Sequence, residues 1–188
     1  MSRFEGRRTL HWGRIKGPRE SIALAIATAG GAGLLPKAPG TFGTAVGVGI
    51  AFLSAGWSTP ERILLWSALF IAGCWASTVV DETMGTDDNQ NIVMDEVVGL
   101  GITAWTIGTH PWGLLTSFVV FRFFDIVKPP PVRQIDHWSH RRASQGQSGV
   151  AKWVGRWVGG FGVMADDAAA GFLGLVVMLT LQYFGFFS

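Results

Sequence analysis

The sequence predicts an all-α fold: a polytopic membrane helical bundle of about five spanning helices, with a short interfacial or re-entrant helix near the N-terminus. Three observations predict it. Charged residues make up only 15% of the 188, mean hydropathy is +0.33, and there are 9 Trp and 13 Phe, a composition outside that of ordinary soluble domains. Two stretches, "ILLWSALFIAGCWASTVV" at 63–80 and "AAAGFLGLVVMLTLQYFGFF" at 168–187, have the length of roughly 17 to 25 apolar residues that a membrane helix needs. No segment alternates apolar and polar residues as a barrel strand would.

The length suits a single domain, 1–188, with no composition shift that marks a linker. Residues 1–20 form a basic segment, expected on the cytoplasmic side. "RRTL" at 7–10 faintly resembles a twin-arginine signal ahead of "IALAIATAG", but the basic leader is long and an organised motif follows at once, which argues against cleavage. The run at 21–35 is short and glycine-rich, hence the interfacial or re-entrant helix. "LLPKAPGTFG", Leu34 to Gly43, sets two prolines and two glycines between apolar segments, so the chain turns here. Three further spans at 42–57, 92–108 and 112–127 need their flanks to reach crossing length. Gly43, Gly47 and Gly49, with Ala45 and Ala51, give the first of these a small-residue face for close helix packing. The single cysteine, Cys74, lies in an apolar run, which excludes a disulfide within the chain and predicts a core or lipid-facing thiol.

Lysines and arginines orient the bundle. With the N-terminus inside, segments 1–41, 81–91 and 128–167 face the cytoplasm, and of the fifteen basic residues only Arg62 lies at the outer edge. Trp57, Trp66, Trp105 and Trp112 lie near span ends, where an interfacial aromatic belt belongs. The balance of 15 basic against 13 acidic residues, without a basic stripe, excludes nucleic acid as a partner.

This topology brings the polar residues to one depth. "MDEVVG" puts Asp95 and Glu96 at the cytoplasmic start of the third span. "FRFFDIVKP" puts Arg122, Asp125 and Lys128 at the end of the fourth, where a spacing of three and three shares one helix face. "MADDAAAG" puts Asp166 and Asp167 at the start of the fifth, and Lys37 and Thr41 enter from the opening turn. Carboxylates crowded in this way need cations, and hard oxygen ligands suit Mg²⁺ shared with substrate phosphate. Pro39 suits the first turn of its helix, Gly40 lets a ligand approach, and the amides there, with Thr41 and Lys37, predict an anion site without nucleotide-loop spacing. Each acid pair also has a bland reading as a helix-start charge, and Arg122 with Asp125 as a structural ion pair. Asp81, Glu82 and Asp87 read as a solvated loop, and His11, His110, His137 and His140 have no metal spacing.

The stretches "GLLPKAPGTFGT", "IVMDEVVG", "FRFFDIVKPPPVR" and "GGFGVMADDAAAG", in that order, resemble the phosphatidylglycerophosphatase A family. The resemblance implies a Mg²⁺-dependent enzyme of the bacterial inner membrane that removes the terminal phosphate of the phospholipid phosphatidylglycerophosphate. Departures at Gln90, Pro130, Ala165 and Ala168 touch packing and headgroup fit rather than the acids.

The expected chemistry is metal-assisted phosphomonoester hydrolysis. Asp95, Glu96, Asp125, Asp166 and Asp167 would hold one or two Mg²⁺ ions, while Lys37, Thr41, Arg122 and Lys128 bind the phosphate. Water is the expected nucleophile, with an acyl phosphate on Asp125 or Asp95 as the alternative. Two rival functions are a lipid-headgroup phosphotransferase, for which no nucleotide-recognition pattern is apparent, and a divalent-cation channel or transporter, which the one-sided clustering of the acids disfavours. The oligomeric state is not legible.

Overall fold

Prolines and glycines set the joints of this chain. In the computed structural model, which describes residues 10–86, 88–130, 134 and 149–187 and gives 149–158 as backbone alone, six α-helices form and no strand occurs among the described residues. They are α1 Pro18–Ala27, α2 Pro39–Leu53, α3 Thr59–Met84, α4 Met94–Thr103, α5 Pro111–Val127 and α6 Gly149–Tyr183. Helices α1, α2, α3 and α5 each carry a proline in the first turn, where a missing N–H costs nothing and the fixed φ suits the helix. A capping box closes the start of α3: the Ser58 amide donates to Glu61 Oε2 at 2.8 Å. The helix ends on Gly85 at φ +70°, the left-handed cap that glycine adopts without strain. His110 caps α5, its Nδ1 accepting from the Gly113 amide at 3.1 Å.

Close contacts fix the directions. Gly43 and Gly47 of α2 lie against Val93 and Val97, and Gly171 and Gly174 of α6 lie against Gly99 and Thr103, so α2, α4 and α6 run the same way. Gly73 meets Met164 and Gly160 meets Cys74 and Thr78, so α3 runs opposite to α6. Phe121 packs on Gly99 and Ala170, while Lys128 reaches Asp166, so α5 also runs opposite. Short α4 sits at the centre and touches α2, α3, α5 and α6. Val97, Leu100 and Thr103 are fully buried there, as expected of a helix enclosed on all sides. Small residues on both partners let the α4 and α6 backbones meet. The Thr103 hydroxyl donates to Gly171 O across that seam at 3.2 Å. Gly43 and Gly47 serve the packing face expected of them, whereas Gly49 meets nothing within 4 Å.

The outer faces are apolar. Leu64, Ile71, Ile126 and Val176 are all more than half exposed, a surface suited to hydrocarbon rather than water. Two helical stretches, Thr59–Met84 and Gly159–Tyr183, are long and apolar enough to cross a membrane, with Pro39–Leu53 a shorter apolar helix.

Three expectations change. The span expected at 92–108 is helical only over Met94–Thr103, about 15 Å at the α-helical rise against a hydrocarbon core of about 30 Å. The helix expected to begin at 168 begins at Gly149 and is continuous through the acids, because Gly160 packs directly on the α3 backbone at Cys74. Asp81 is no solvated loop residue: its carboxylate accepts from Thr86 Oγ1 at 2.7 Å, the Asp88 amide at 3.1 Å and the Asn89 amide at 3.0 Å. The short N-terminal helix is present as α1, and its Ala23, Leu24 and Ala27 are buried against α3. The expectations at Arg7, Arg8, Asp87, 131–133, His137 and His140 lie outside the described residues.

Candidate active site

Three helices deliver polar side chains to one level of the bundle. The first turn of α4 supplies Asp95 and Glu96, and the last turns of α5 supply Arg122 and Asp125. Asp166 and Asp167 come from the interior of α6, where they are 6% and 4% exposed. They are therefore not helix-start charges, and the macrodipole reading holds only for Asp95 and Glu96. In both pairs the first carboxylate accepts from the next amide at 3.0 Å: Glu96 N to Asp95 Oδ1, and Asp167 N to Asp166 Oδ1.

The five acids divide into two groups. Oxygens of Asp95, Glu96 and Asp167 all lie within 4.8 Å of one another. The other two acids hold the cations. Arg122 Nη1 is 2.6 Å from Asp125 Oδ2 and 3.7 Å from Glu96 Oε1. Lys128 Nζ is 2.5 Å from Asp166 Oδ2. The spacing in "FRFFDIVKP" gives one shared face only for Arg122 and Asp125. Lys128 caps α5 in the left-handed region at φ +43°, with its amide on Phe124 O, and its ammonium crosses to α6.

Glu96 Oε2 is buried and has no hydrogen-bond partner among the described residues. A buried carboxylate oxygen left without a donor is costly, and one placed beside two other carboxylates is costlier still. Such a crowded set of acceptors is chemically suited to a cation. Three carboxylates with oxygens this close are donors of the type that Mg²⁺ takes.

The opening turn is built differently from expectation. Ala38 caps α2 at φ +50° and ψ +55°, and the Thr41 amide donates to Ala38 O at 3.0 Å, so that amide is spoken for. Lys37 is exposed and makes no hydrogen bond or ion pair among the described residues. Gly40 makes room for Glu96 and Arg122: a Cβ there would lie 2.9 Å from Arg122 Nη1 and closer still to Glu96 Oε1. The missing side chain thus admits a carboxylate from this chain.

One feature escaped the sequence. Asn89 is fully buried, and its Oδ1 accepts from the Asn91 amide at 3.0 Å and from Asn91 Nδ2 at 2.9 Å. With Asp81 it knots the loop that leads into α4, and that knot sets where Asp95 and Glu96 begin. The polar run "TDDNQN" was the visible signal, but only side-chain partners distinguish a knot from a solvated loop.

Residues 25–144 match the family described as Phosphatidylglycerophosphatase A. The chain is similar to a phosphatidylglycerophosphatase A of Haemophilus influenzae, 32% identical over 84% of this chain and 87% of that one. It is similar to a protein of Bacteroides thetaiotaomicron named as a phosphatidylinositol-3-phosphatase, 30% identical over 86% of this chain and 94% of that one. It also resembles a phosphatidylglycerophosphatase A of Escherichia coli K12, 28% identical over 85% and 80%. No solved structure matches.

Proposed function

The chain belongs to the phosphatidylglycerophosphatase A family and is a lipid phosphatase, and from that premise we propose that it removes the terminal phosphate of phosphatidylglycerophosphate. Water adds to phosphorus, the ester bond to the glycerol oxygen breaks, and phosphatidylglycerol and inorganic phosphate leave. In this reading the protein sits in the bacterial inner membrane with the acids at the cytoplasmic face. All five helices α2 to α6 are embedded, with α4 enclosed and shorter than the bilayer. The observation that carries the proposal is the meeting of Asp95, Glu96 and Asp167 around the unpartnered Glu96 Oε2.

These three acids are the proposed core of a Mg²⁺ site, with Asp125 and Asp166 at its edge. When bound, the ion would polarise the phosphoryl oxygens and make an attacking water more acidic. The protein's own groups do the rest. Arg122 and Lys128 are held by Asp125 and Asp166 beside the trio, where they bind phosphoryl oxygens and offset charge developing on the leaving oxygen. Lys37 and Thr41, at the start of α2, receive the phosphate from the membrane surface. The apolar faces of the bundle keep the diacylglycerol part in the bilayer.

The cation-channel reading gains nothing from the described residues: at the other end of α3, Glu61 is exposed and bound to Ser58. The Bacteroides relative's name makes a second phosphomonoester headgroup worth measuring. Purified protein in mixed micelles should release phosphate from phosphatidylglycerophosphate faster than from phosphatidylinositol 3-phosphate, only with Mg²⁺, and Asp95→Asn and Asp167→Asn should each abolish it. Release that survives both substitutions would overturn the assignment.

A further inference from the structure

An open apolar groove of about 790 Å³ runs along the seam of α3 and α6 with α4 as its floor. Trp66, Phe70, Trp105, Phe161 and Phe172 line it. Its lining on α6 spans Phe161 to Leu175, about 21 Å at the helical rise, longer than the roughly 15 Å of hydrocarbon in one leaflet. The site acids lie on other faces of α6, since Asp166 and Asp167 follow Ala165 by one and two residues at 100° per residue.

The end of the groove away from those acids has unused donors. Trp66 is 5% exposed, lines the groove, and its Nε1 has no hydrogen-bond partner among the described residues. The six-membered edge of its indole abuts Gly101 of α4, which turns the N–H edge away from that helix. One turn earlier, Arg62 stacks on Trp105, with its guanidinium carbon 4.4 Å from the ring centroid, and Nη2 donates to Trp105 O at 2.5 Å. Arg62 Nε is buried without a partner, and Arg62 makes no ion pair among the described residues. Arg62 adjoins the groove through Trp105, which lines it, and buried donors with an unpaired cation beside a hydrocarbon slot are complementary to one kind of molecule: an acyl chain ending in an anionic ester headgroup.

We propose that this groove is a second phospholipid site, distinct from the acids, in which an acyl chain lies on the α3–α6 seam and an anionic headgroup phosphate rests on Arg62. The planar guanidinium fork suits phosphate oxygens, and the Trp66 N–H suits an ester carbonyl. The proposal does not depend on the phosphatase reading.

Native mass spectrometry of the full chain released from detergent, with added phosphatidylglycerol or phosphatidylcholine, tests it. One phosphatidylglycerol per chain should stay bound in preference to phosphatidylcholine. Arg62→Gln should weaken that binding about tenfold, the loss of a charge-assisted contact, and leave phosphatase turnover unchanged. Ile71→Trp, which fills the groove from its exposed side, should displace the same lipid while Arg62 is intact, and Lys128→Gln should not. Equal retention by the parent, Arg62→Gln and Ile71→Trp proteins would overturn the proposal. So would disulfide cross-linking of two Ile71→Cys chains through that position, since a second copy would then occupy the groove.

Discussion

Gly40→Ala puts the geometry of the site under the sharpest stress with the smallest change. The new Cβ would lie 2.9 Å from Arg122 Nη1, 3.1 Å from Glu96 Cδ, and nearer still to Glu96 Oε1, whereas ordinary contacts of this kind fall at 3.4–4 Å. The Glu96 oxygen must therefore retreat by about 1 Å, and a misplacement of that size can cost about 100-fold in rate. The backbone gives no counter-strain, because Gly40 is not at positive φ, and alanine is the better helix former by up to about 1 kcal/mol. The variant should thus keep its melting temperature while kcat falls by about two orders of magnitude and the Mg²⁺ needed for half-maximal rate rises. Gly49→Ala is the matched control on the same helix, with nothing within 4 Å of the added carbon, and should leave turnover as it was. Turnover within twofold of the parent in Gly40→Ala would refute the claim that Glu96 acts from its observed position.

Other perturbations separate scaffold from site. Lys128→Met removes the ammonium that lies 2.5 Å from the buried Asp166 carboxylate and should destabilise the protein by about 1–3 kcal/mol in a detergent melt. Asp166→Asn should recover part of that loss in the double variant. Gly171→Ala drives a carbon into Gly99 O and should cost about 1–3 kcal/mol by prising α4 from α6, read as a lower melting temperature. Asp81→Ala releases three donors in the loop before α4. It should lower kcat more than it raises KM, measured on the lipid phosphomonoester, because Asp95 and Glu96 lose their register.

How much was legible varies by element, for physical reasons. Helix α5, expected over 112–127 and observed over Pro111–Val127, carries its own punctuation: a proline to start it and "VKPP" to end it. Helix α3 gained polar turns at both ends because the Ser58 and Glu61 capping box and the Gly85 cap extend a helix beyond its apolar run. Hydropathy could not find the end of α4, since Ala104 and Ile107 are as apolar and buried as the helix itself. The chain turns there because α4 is enclosed and Thr103 is bonded to α6, a tertiary fact. The early start of α6 was hidden by glycines at 155, 159, 160 and 162 that read as loop, although the helix runs through them and Gly160 packs on α3. The convergence of Asp95, Glu96, Asp125, Asp166 and Asp167 followed from topology alone. Their division into a trio and two ion-paired residues did not, because side-chain reach decides it.

Divalent binding to the trio is the central claim, and Mn²⁺ as a paramagnetic probe of the whole protein measures it without reference to turnover. The parent should give a bound Mn²⁺ signal that Mg²⁺ displaces and that Glu96→Gln and Asp167→Asn each remove. An unchanged bound signal in both variants would contradict it.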